Sequence, residues 1–490
     1  MVPSELYRTS LGLLTDFYQL TMAYAAWKGG VAGREAVFHL SFRKNPFDGG
    51  YAVAAGLEDA VDYVHRHRFE PDDLAYLAAQ RGSDDRPLFE EGFIEWLSRL
   101  KLDVDLDAVP EGTAVFPYEP ILRVRGPIVP CMLLETPILT IVNFQTLIAT
   151  KAARVVLASR GEPVIEFGLR RAQGIDGALS ASRAAFVGGC SATSNVLAGK
   201  LFGIPAKGTH AHSWVMLFDD ELEAFFTYAR ALPANCILLV DTYDSLAGVR
   251  RAIEVGRWLR ERGHRLVGIR LDSGDLAWLS SQARKLLDEA GLRDTAIVAS
   301  NELDESIIQA LKDQDAAVTV WGVGTRLVTG WGEPALGGVY KLSAVRASSD
   351  APWKYRVKLS EQVSKTTIPG VLQVRRYQHG DGFLADVIYD AEKGLPRSPE
   401  MVDPLDLTRR RVLPADAPAD DLLVPVLRRG EPVWQSPPLA EIRARTAQQL
   451  TKLHGGVKRL VHPHQYPVGL ERSLSELRTR LILEARGVAA

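Results

Sequence analysis

LVGIRLDSGD (Leu266–Asp275) runs from an apolar stretch into a cluster of charged and turn-forming residues, and AWLSSQARKLL after it has helical spacing. Three more segments share the design: CILLVDTYDS (Cys236–Ser245), AIVASNELDE (Ala296–Glu305) and VTVWGVGTRLVTG (Val318–Gly330). Each reads as a short buried strand whose carboxyl end opens into a polar loop before the next helix. Such alternation predicts an α/β fold, a (β/α) barrel of parallel strands, with its functional groups gathered at the carboxyl ends of the strands. It points to an enzyme.

Working outward, the alternation spans about 127–342, the expected catalytic domain. Residues 1–126 read as mixed, with a helix near Asp16–Ala26, a strand at Ala36–Phe42, a helix at Tyr51–His65 and a loop at Arg81–Pro87. After Leu342 the character changes again: WKYRVKLS and GVLQVRRYQ read as strands, ADAPADD as a loop and Leu470–Leu483 as a closing helix. The expected division is therefore a barrel at 127–342 packed on a mixed α+β domain built from 1–126 and 343–490.

The chain has 490 residues, 46% of them hydrophobic, enough to bury a large core. Its 58 Lys and Arg nearly balance 60 Asp and Glu, so no global positive field favours a nucleic acid or an anionic membrane. Any anionic ligand must be held by local groups. Three scattered cysteines, Cys131, Cys190 and Cys236, form no CxxC pair and suit a reducing cytoplasm. The first residues, with Glu5 and Asp16, lack the basic then apolar pattern of a secretory leader, and no later apolar run reads as long enough to cross a bilayer.

Candidate site residues cluster after the strands. A strand ending at Phe167 opens onto Arg170 and Arg171, whose planar guanidinium forks suit phosphate or carboxylate, although paired surface arginines are more often plain ion pairs. Thr209, His210 and His212 follow a Gly- and Ala-rich helix; on a strand the two histidines would share a face, and imidazole can serve as base or nucleophile. In RLDSGD, Arg270 supplies an anion donor beside Asp272 and Asp275, which can hold Mg²⁺ or accept from ribose hydroxyls, while Ser273 or Asp275 can equally cap the next helix. Asp241 and Asp244 raise the same two readings, with capping favoured. Gly322 and Gly324, then Gly337 and Gly338, would let backbone N–H groups approach a phosphate, or simply turn the chain. GVGT fits neither a dinucleotide fingerprint nor a P-loop.

Taken together, LLTDFYQLTM (Leu13–Met22), FRKNPFDGGYAVAAGLE (Phe42–Glu58), EFGLRRAQG (Glu166–Gly174), KGTHAHSWV (Lys207–Val215), IRLDSGDL (Ile269–Leu276), SNELDE (Ser300–Glu305), GVGTRLVT with ALGGVYKL (Gly322–Leu342) and KLSEQVSKTTIPG (Lys358–Gly370) resemble the nicotinate phosphoribosyltransferases. That resemblance implies an irregular barrel on a mixed domain formed by both chain ends. It implies union of nicotinate with 5-phosphoribosyl 1-diphosphate, giving nicotinate mononucleotide and diphosphate, with ATP as co-substrate and Mg²⁺ as cofactor. His212 matches the histidine phosphorylated from ATP; Thr209 and Arg270 match positions at the nicotinate site, and Thr325 matches a binder of the phosphoribosyl substrate. Phe167 and Tyr18 would sandwich the pyridine ring, Tyr18 arriving from the second subunit of a homodimer.

The residues are compatible with that chemistry. Arg170, Arg270 and a cation near Asp272 and Asp275 would offset charge on departing diphosphate, and Gly322, Gly324, Thr325, Gly337 and Gly338 would receive the phosphoribosyl end. His210 stands where the related nicotinamide enzyme typically carries Asp, which favours a carboxylate substrate. Alternatives are nicotinamide or quinolinate phosphoribosyl transfer, an aldolase or isomerase barrel, and a catalytically idle phosphate-binding scaffold.

Overall fold

The computed structural model describes residues 9–362 and 365–488. Val363 and Ser364, inside the KLSEQVSKTTIPG match, lie outside the described residues, as do residues 1–8, Glu5 among them.

The chain divides into two compact units. The first comprises Met1–Thr146, Leu336–Pro438 and Gln448–Ala490; the second comprises Leu147–Ala335 and Leu439–Ala447. In the second unit six parallel strands form one sheet, in the order Ala192–Thr193, Val164–Glu166, Val320–Val323, Ala296–Ala299, Gly268–Leu271, Ile237–Leu239. These strands are mostly buried and rich in Val, Ile and Leu, the signature of a sheet covered on both faces. Within this sheet the first strand in chain order, Val164–Glu166, pairs with the last, Val320–Val323, through Trp321 with Val164 and Val323 with Glu166. Among the described residues, Ala192–Thr193 and Ile237–Leu239 do not pair with each other. The segment after Pro205 runs there instead: Thr193 and Ala206 make a single parallel bridge, and the Leu239 N–H donates to His210 Nε2 at 3.2 Å.

Helices follow the strands as the hydrophobic spacing requires. Asp244 and Asp275 cap Ser245–Glu261 and Leu276–Glu289 by accepting from the Ala247 and Trp278 N–H groups. In the helix Glu135–Ala158, Lys151 and Arg154 reach the buried Glu305 at 2.7 and 2.9 Å, which ties down the start of the helix Glu305–Asp313.

The first unit holds two larger sheets, mostly antiparallel, of seven and six strands. Strand Glu35–Phe42 lies between Gly338–Arg346 and Leu122–Pro127, and its His39 accepts from the Leu372 N–H at 3.1 Å, joining the two sheets. Burial above all, with the Arg123 charge nearby, holds that imidazole well below its ordinary range, so it stays neutral and can accept. Helix Phe17–Lys28 buries Leu20, Ala23 and Ala26 against Phe89, Phe93 and Leu97.

Four local expectations need correction. Tyr51–His65 begins as the short strand Ala52–Val53, because the chain pairs with Ala114–Val115, and its helix starts only at Leu57. Ala419–Asp421, read as loop, is an edge strand beside Leu372–His379, where pairing overrides its acidic composition. No strand covers 207–211, so the two histidines do not share a strand face. Residues 128–158 are long and apolar enough to cross a membrane by length and composition, contrary to the sequence reading, yet just over half of their most apolar window is buried within the protein. The scattered Glu135, Asn143, Gln145 and Lys151 disguised the run. Gln145 donates to Asp59 and Thr146 exchanges hydrogen bonds with Ala55, as a core helix would.

Candidate active site

Five parallel strands deliver their following loops to one place in the second unit, and Arg270 is its hub. The Arg270 side chain, at the end of Gly268–Leu271, donates from Nε to Ser300 Oγ at 2.8 Å, from Nη1 to Thr209 Oγ1 at 3.1 Å and from Nη2 to Asp272 Oδ1 at 2.9 Å. Ser300 Oγ in turn donates to Asp272 Oδ1, closing a ring of three side chains. The guanidinium carbon stands 5.5 Å from the Phe167 ring centroid. Three donors are engaged, and the remaining N–H groups of the fork stay available for an anion beside an aromatic face.

Asp272 is held from several directions. Burial works against its charge, but the Ser300 hydrogen bond, the Arg270 charge and the nearby His212 outweigh it, and its carboxyl lies below the usual range. His212 opens the short helix His212–Val215, half-exposed, with Nε2 3.7 Å from Asp272 Oδ2 and Nδ1 3.2 Å from Thr242 Oγ1. A hydroxyl at Nδ1 and a carboxylate near Nε2 orient the ring and favour one edge for chemistry.

Asp241, buried at the end of Ile237–Leu239, accepts from the Asp272 N–H at 2.8 Å and the Ser273 hydroxyl at 2.6 Å through Oδ2. Its Oδ1 is buried with no hydrogen-bond partner. Of the two readings open for Asp241 and Asp244, capping holds for Asp244 and not for Asp241. Asp275 is a cap as well, its Oδ1 accepting from the Trp278 N–H. A buried orphan carboxylate oxygen beside Asp272 suits a hard cation better than Asp275 does. Among the described residues no cluster of three or more His, Cys, Asp or Glu could cage a metal alone, so substrate oxygens would have to complete such a shell.

Below the aromatic face, Glu166 is fully buried and accepts from the Gly168 N–H, from Ser182 Oγ at 2.8 Å and from Thr193 Oγ1 at 2.5 Å. It fixes the turn that carries Phe167. Gly322 is bare for a specific reason: a Cβ there would sit 2.6 Å from Phe167 Cδ2 and Cε2. Thr325 Oγ1 donates to Glu302 Oε1 at 3.1 Å, and Asn301 and Glu302 adopt left-handed backbone angles, φ 89° and 39°.

Other expected residues lie on other segments. Arg170 and Arg171 lie in the exposed turn Leu169–Arg171. Gly337, Gly338 and Tyr18 belong to the first unit. A Cβ on Gly338 would meet Asn143 Oδ1 at 2.0 Å, and Tyr18 is 47% exposed on helix Phe17–Lys28. His210 is committed elsewhere. Its ring packs against Tyr228 and Phe225, Nε2 takes the Leu239 N–H and Nδ1 contacts the Ala211 carbonyl. Burial first, and the Arg270 and His212 charges after it, push its imidazole down to about 4. It is a neutral stitch in the sheet. The cysteines are free and buried, and burial pushes the Cys236 thiol up to about 12.

Sequence reasoning missed Ser300, Thr242 and Glu166 as site-forming groups. The signal existed for Ser300 and Thr242, since each follows its strand within a few residues, the place where a barrel of parallel strands gathers function.

A parallel α/β sheet with an arginine, a histidine and two carboxylates converging at its strand ends defines an enzyme of anionic substrates. Family profiles agree on which one. The N-terminal domain of nicotinate phosphoribosyltransferase matches residues 13–143, the nicotinate phosphoribosyltransferase family 163–368, and its C-terminal domain 373–478. The chain is 42% identical over 468 residues to nicotinate phosphoribosyltransferase of Bacillus subtilis, covering 94% of this chain and 93% of that one. It is 36% identical to the Homo sapiens enzyme of the same name, covering 95% of each. The crystal structure of human nicotinic acid phosphoribosyltransferase superposes with a TM-score of 0.82 at 34% identity, covering 95% of this chain and 99% of that one. The chain belongs to the nicotinate phosphoribosyltransferase family.

Proposed function

We propose that this protein joins nicotinate to 5-phosphoribosyl 1-diphosphate, forming nicotinate mononucleotide and diphosphate in NAD salvage, with ATP hydrolysis coupled through phosphorylation of His212. Supporting this most directly is the Arg270, Ser300, Asp272 ring beside Phe167, together with the family to which the chain belongs. The free edge of the Arg270 fork and Thr209 suit the nicotinate carboxylate, and Phe167 suits one face of the ring. The pyridine nitrogen carries its own lone pair, so attack on C1 of the ribose needs no general base. Alignment is the main requirement.

As the diphosphate departs, negative charge grows on it while the sugar gains oxocarbenium character. Arg270 and the exposed Arg170 are our candidates to offset that charge, and Thr325 with the Gly322–Gly324 backbone our candidates for the phosphoribosyl end. When bound with the diphosphate, Mg²⁺ would add to that neutralisation; Asp272 and the free oxygen of Asp241 are the groups we assign to it, in place of Asp275. His212 presents Nε2 near Asp272 and is assigned to receive the phosphoryl group and to organise the diphosphate end without attacking the sugar. Gly337 and Gly338 remain assigned to the phosphoribosyl substrate by family resemblance alone.

Several broader readings belong with this proposal. Pairing of the first strand with the last, and the Pro205–His210 segment in the remaining gap, support an irregular (β/α) barrel split at one seam. The exposed Tyr18 fits a homodimer in which it covers the ring in the partner's site. We place the enzyme in the cytoplasm, with no nucleic acid or membrane partner. His210 does not carry the preference for nicotinate over nicotinamide, since its ring faces the sheet; Arg270 does.

The test is mononucleotide formation by purified protein given 5-phosphoribosyl 1-diphosphate and Mg²⁺ with nicotinate, nicotinamide or quinolinate, each with and without ATP. Product from nicotinate, raised by ATP, is expected. Product from nicotinamide instead would overturn the substrate assignment, and none from any would leave a phosphate-binding scaffold.

A further inference from the structure

Glu166 carries a charge for which the proposed reaction has no use so far. It is fully buried, and none of the described lysines or arginines pairs with it. Every side-chain contact it makes is with a donor. Oε1 accepts from the Gly168 N–H, and Oε2 from Ser182 Oγ at 2.8 Å and Thr193 Oγ1 at 2.5 Å. An outer layer fixes that polarity. Asn195 Oδ1 accepts from the Ala198 N–H in the first turn of helix Val196–Phe202, which turns the Asn195 amide nitrogen toward Ser182 Oγ at 3.2 Å. The Asn195 backbone N–H donates to Thr193 Oγ1 at 2.9 Å, so the Thr193 hydroxyl proton is left for Glu166. Ser182 accepts from Asn195 as well, and its hydroxyl lies between Glu166 and the Ala178 carbonyl, 3.0 Å away. With both oxygens acting as acceptors, Glu166 is ionised.

A buried carboxylate without a cation is costly, and a fold breaks that rule chiefly at its functional sites. The hydrogen bond to Gly168 lays the Glu166 carboxylate against the backbone of Phe167, one aromatic side chain from the ring that Phe167 is proposed to face. That side chain is clamped: the Phe167 N–H donates to the Val323 carbonyl at 2.8 Å, and a Cβ on Gly168 would run into Val328. Neighbouring charges have partners. Arg270 pairs with Asp272 at 2.9 Å, and Asp241 accepts from the Asp272 N–H and the Ser273 hydroxyl. Glu166 is the one among them with no positive group and no assigned ligand.

We infer that Glu166 stabilises the positive charge that the pyridine ring acquires in the reaction, acting from behind Phe167 without touching substrate. This role rests on the nicotinate reading. As the lone pair of the ring nitrogen becomes the bond to C1 of the ribose, the C1–O bond breaks and its electron pair leaves with diphosphate. No proton moves, and a neutral ring becomes a pyridinium cation. A fixed charge that favours the cation over the neutral ring binds the transition state better than the substrate. One unit charge, an aromatic side chain away inside a protein, shifts such a balance by about tenfold.

Two ligands of one shape test this by calorimetry on the full-length protein. N-methylnicotinate has a cationic ring and 3-methylbenzoate a neutral one, and both offer Arg270 the same carboxylate. The parent should bind N-methylnicotinate at least about tenfold more tightly, and in Glu166→Gln that preference should shrink below about threefold while 3-methylbenzoate affinity stays within about twofold. Gln suits the pocket, since its oxygen can accept from Gly168 and the two hydroxyls can turn to receive its amide. A parent without the preference would overturn the role, and that measurement decides even where the variant fails to fold. So would a Gln variant that keeps the preference, or one that loses both ligands alike, the mark of a residue that only holds Phe167. A parent that binds neither ligand, nor nicotinate, would overturn the substrate assignment and this role with it.

Discussion

Replacing Ser300 by alanine removes one oxygen that serves two charged neighbours. Its hydroxyl accepts from Arg270 Nε and donates to Asp272 Oδ1, and the residue is only 3% exposed. A hydrogen bond to a charged group contributes about 1.5–3 kcal/mol, and water entering beside the partly open Asp272 would recover part of the two. A net loss of about 1.5–3 kcal/mol in binding the productive complex follows, or roughly tenfold to a hundredfold in kcat/KM. Because Arg270 would grip the nicotinate carboxylate alike before and during the reaction, most of the loss should fall on the nicotinate KM, with kcat changed less than about threefold. Steady-state kinetics at saturating 5-phosphoribosyl 1-diphosphate separate the two. A nicotinate KM within twofold of the parent would refute the claim that Ser300 sets the Arg270 fork.

Three further outcomes follow from other parts of the site. His212→Ala should keep ATP-independent mononucleotide formation but lose its stimulation by ATP, and undiminished coupling would remove His212 from that role. Gly322→Ala places a methyl against the Phe167 ring, so it should weaken nicotinate binding about tenfold and lower stability by about 1–3 kcal/mol, checked by substrate titration and urea unfolding. His210, pushed down to about 4 from its ordinary 6.5, favours the neutral form in the fold. Its contribution is therefore whole above pH 6.5 and is lost as pH falls toward 4, about 2–3 kcal/mol by pH 4.5. Urea midpoints at pH 7.5 and 4.5 should fall less steeply in His210→Gln than in the parent, and parallel slopes would contradict this.

Much of the catalytic sheet was legible because each strand announces itself twice, by an apolar run and by the turn chemistry that follows. Leu266–Asp275 is the clearest case. Roles within the loops were harder, since an aspartate after a strand can cap a helix or face the site with the same local spacing. Asp244 and Asp275 cap, Asp241 and Asp272 do not, and only the positions of neighbouring strands decide. His210 misleads for the same reason: its partner, the Leu239 N–H, lies on a strand nearly thirty residues away. Gly322 reads as a phosphate glycine because the ring it makes room for comes from Phe167, far back in the chain. Ala419–Asp421 carries no strand signal of its own and is extended by its neighbour.

Pairing of Val164–Glu166 with Val320–Val323 has a consequence for the protein's birth. Roughly 160 residues separate the two strands, so at ordinary synthesis rates the earlier one waits on the order of 10–30 s for its partner to leave the ribosome. Until then an apolar strand edge lies open to other chains. Chains stalled or truncated before about residue 320 should therefore depend on chaperones and aggregate without them, while those released past Val323 can close the sheet unaided.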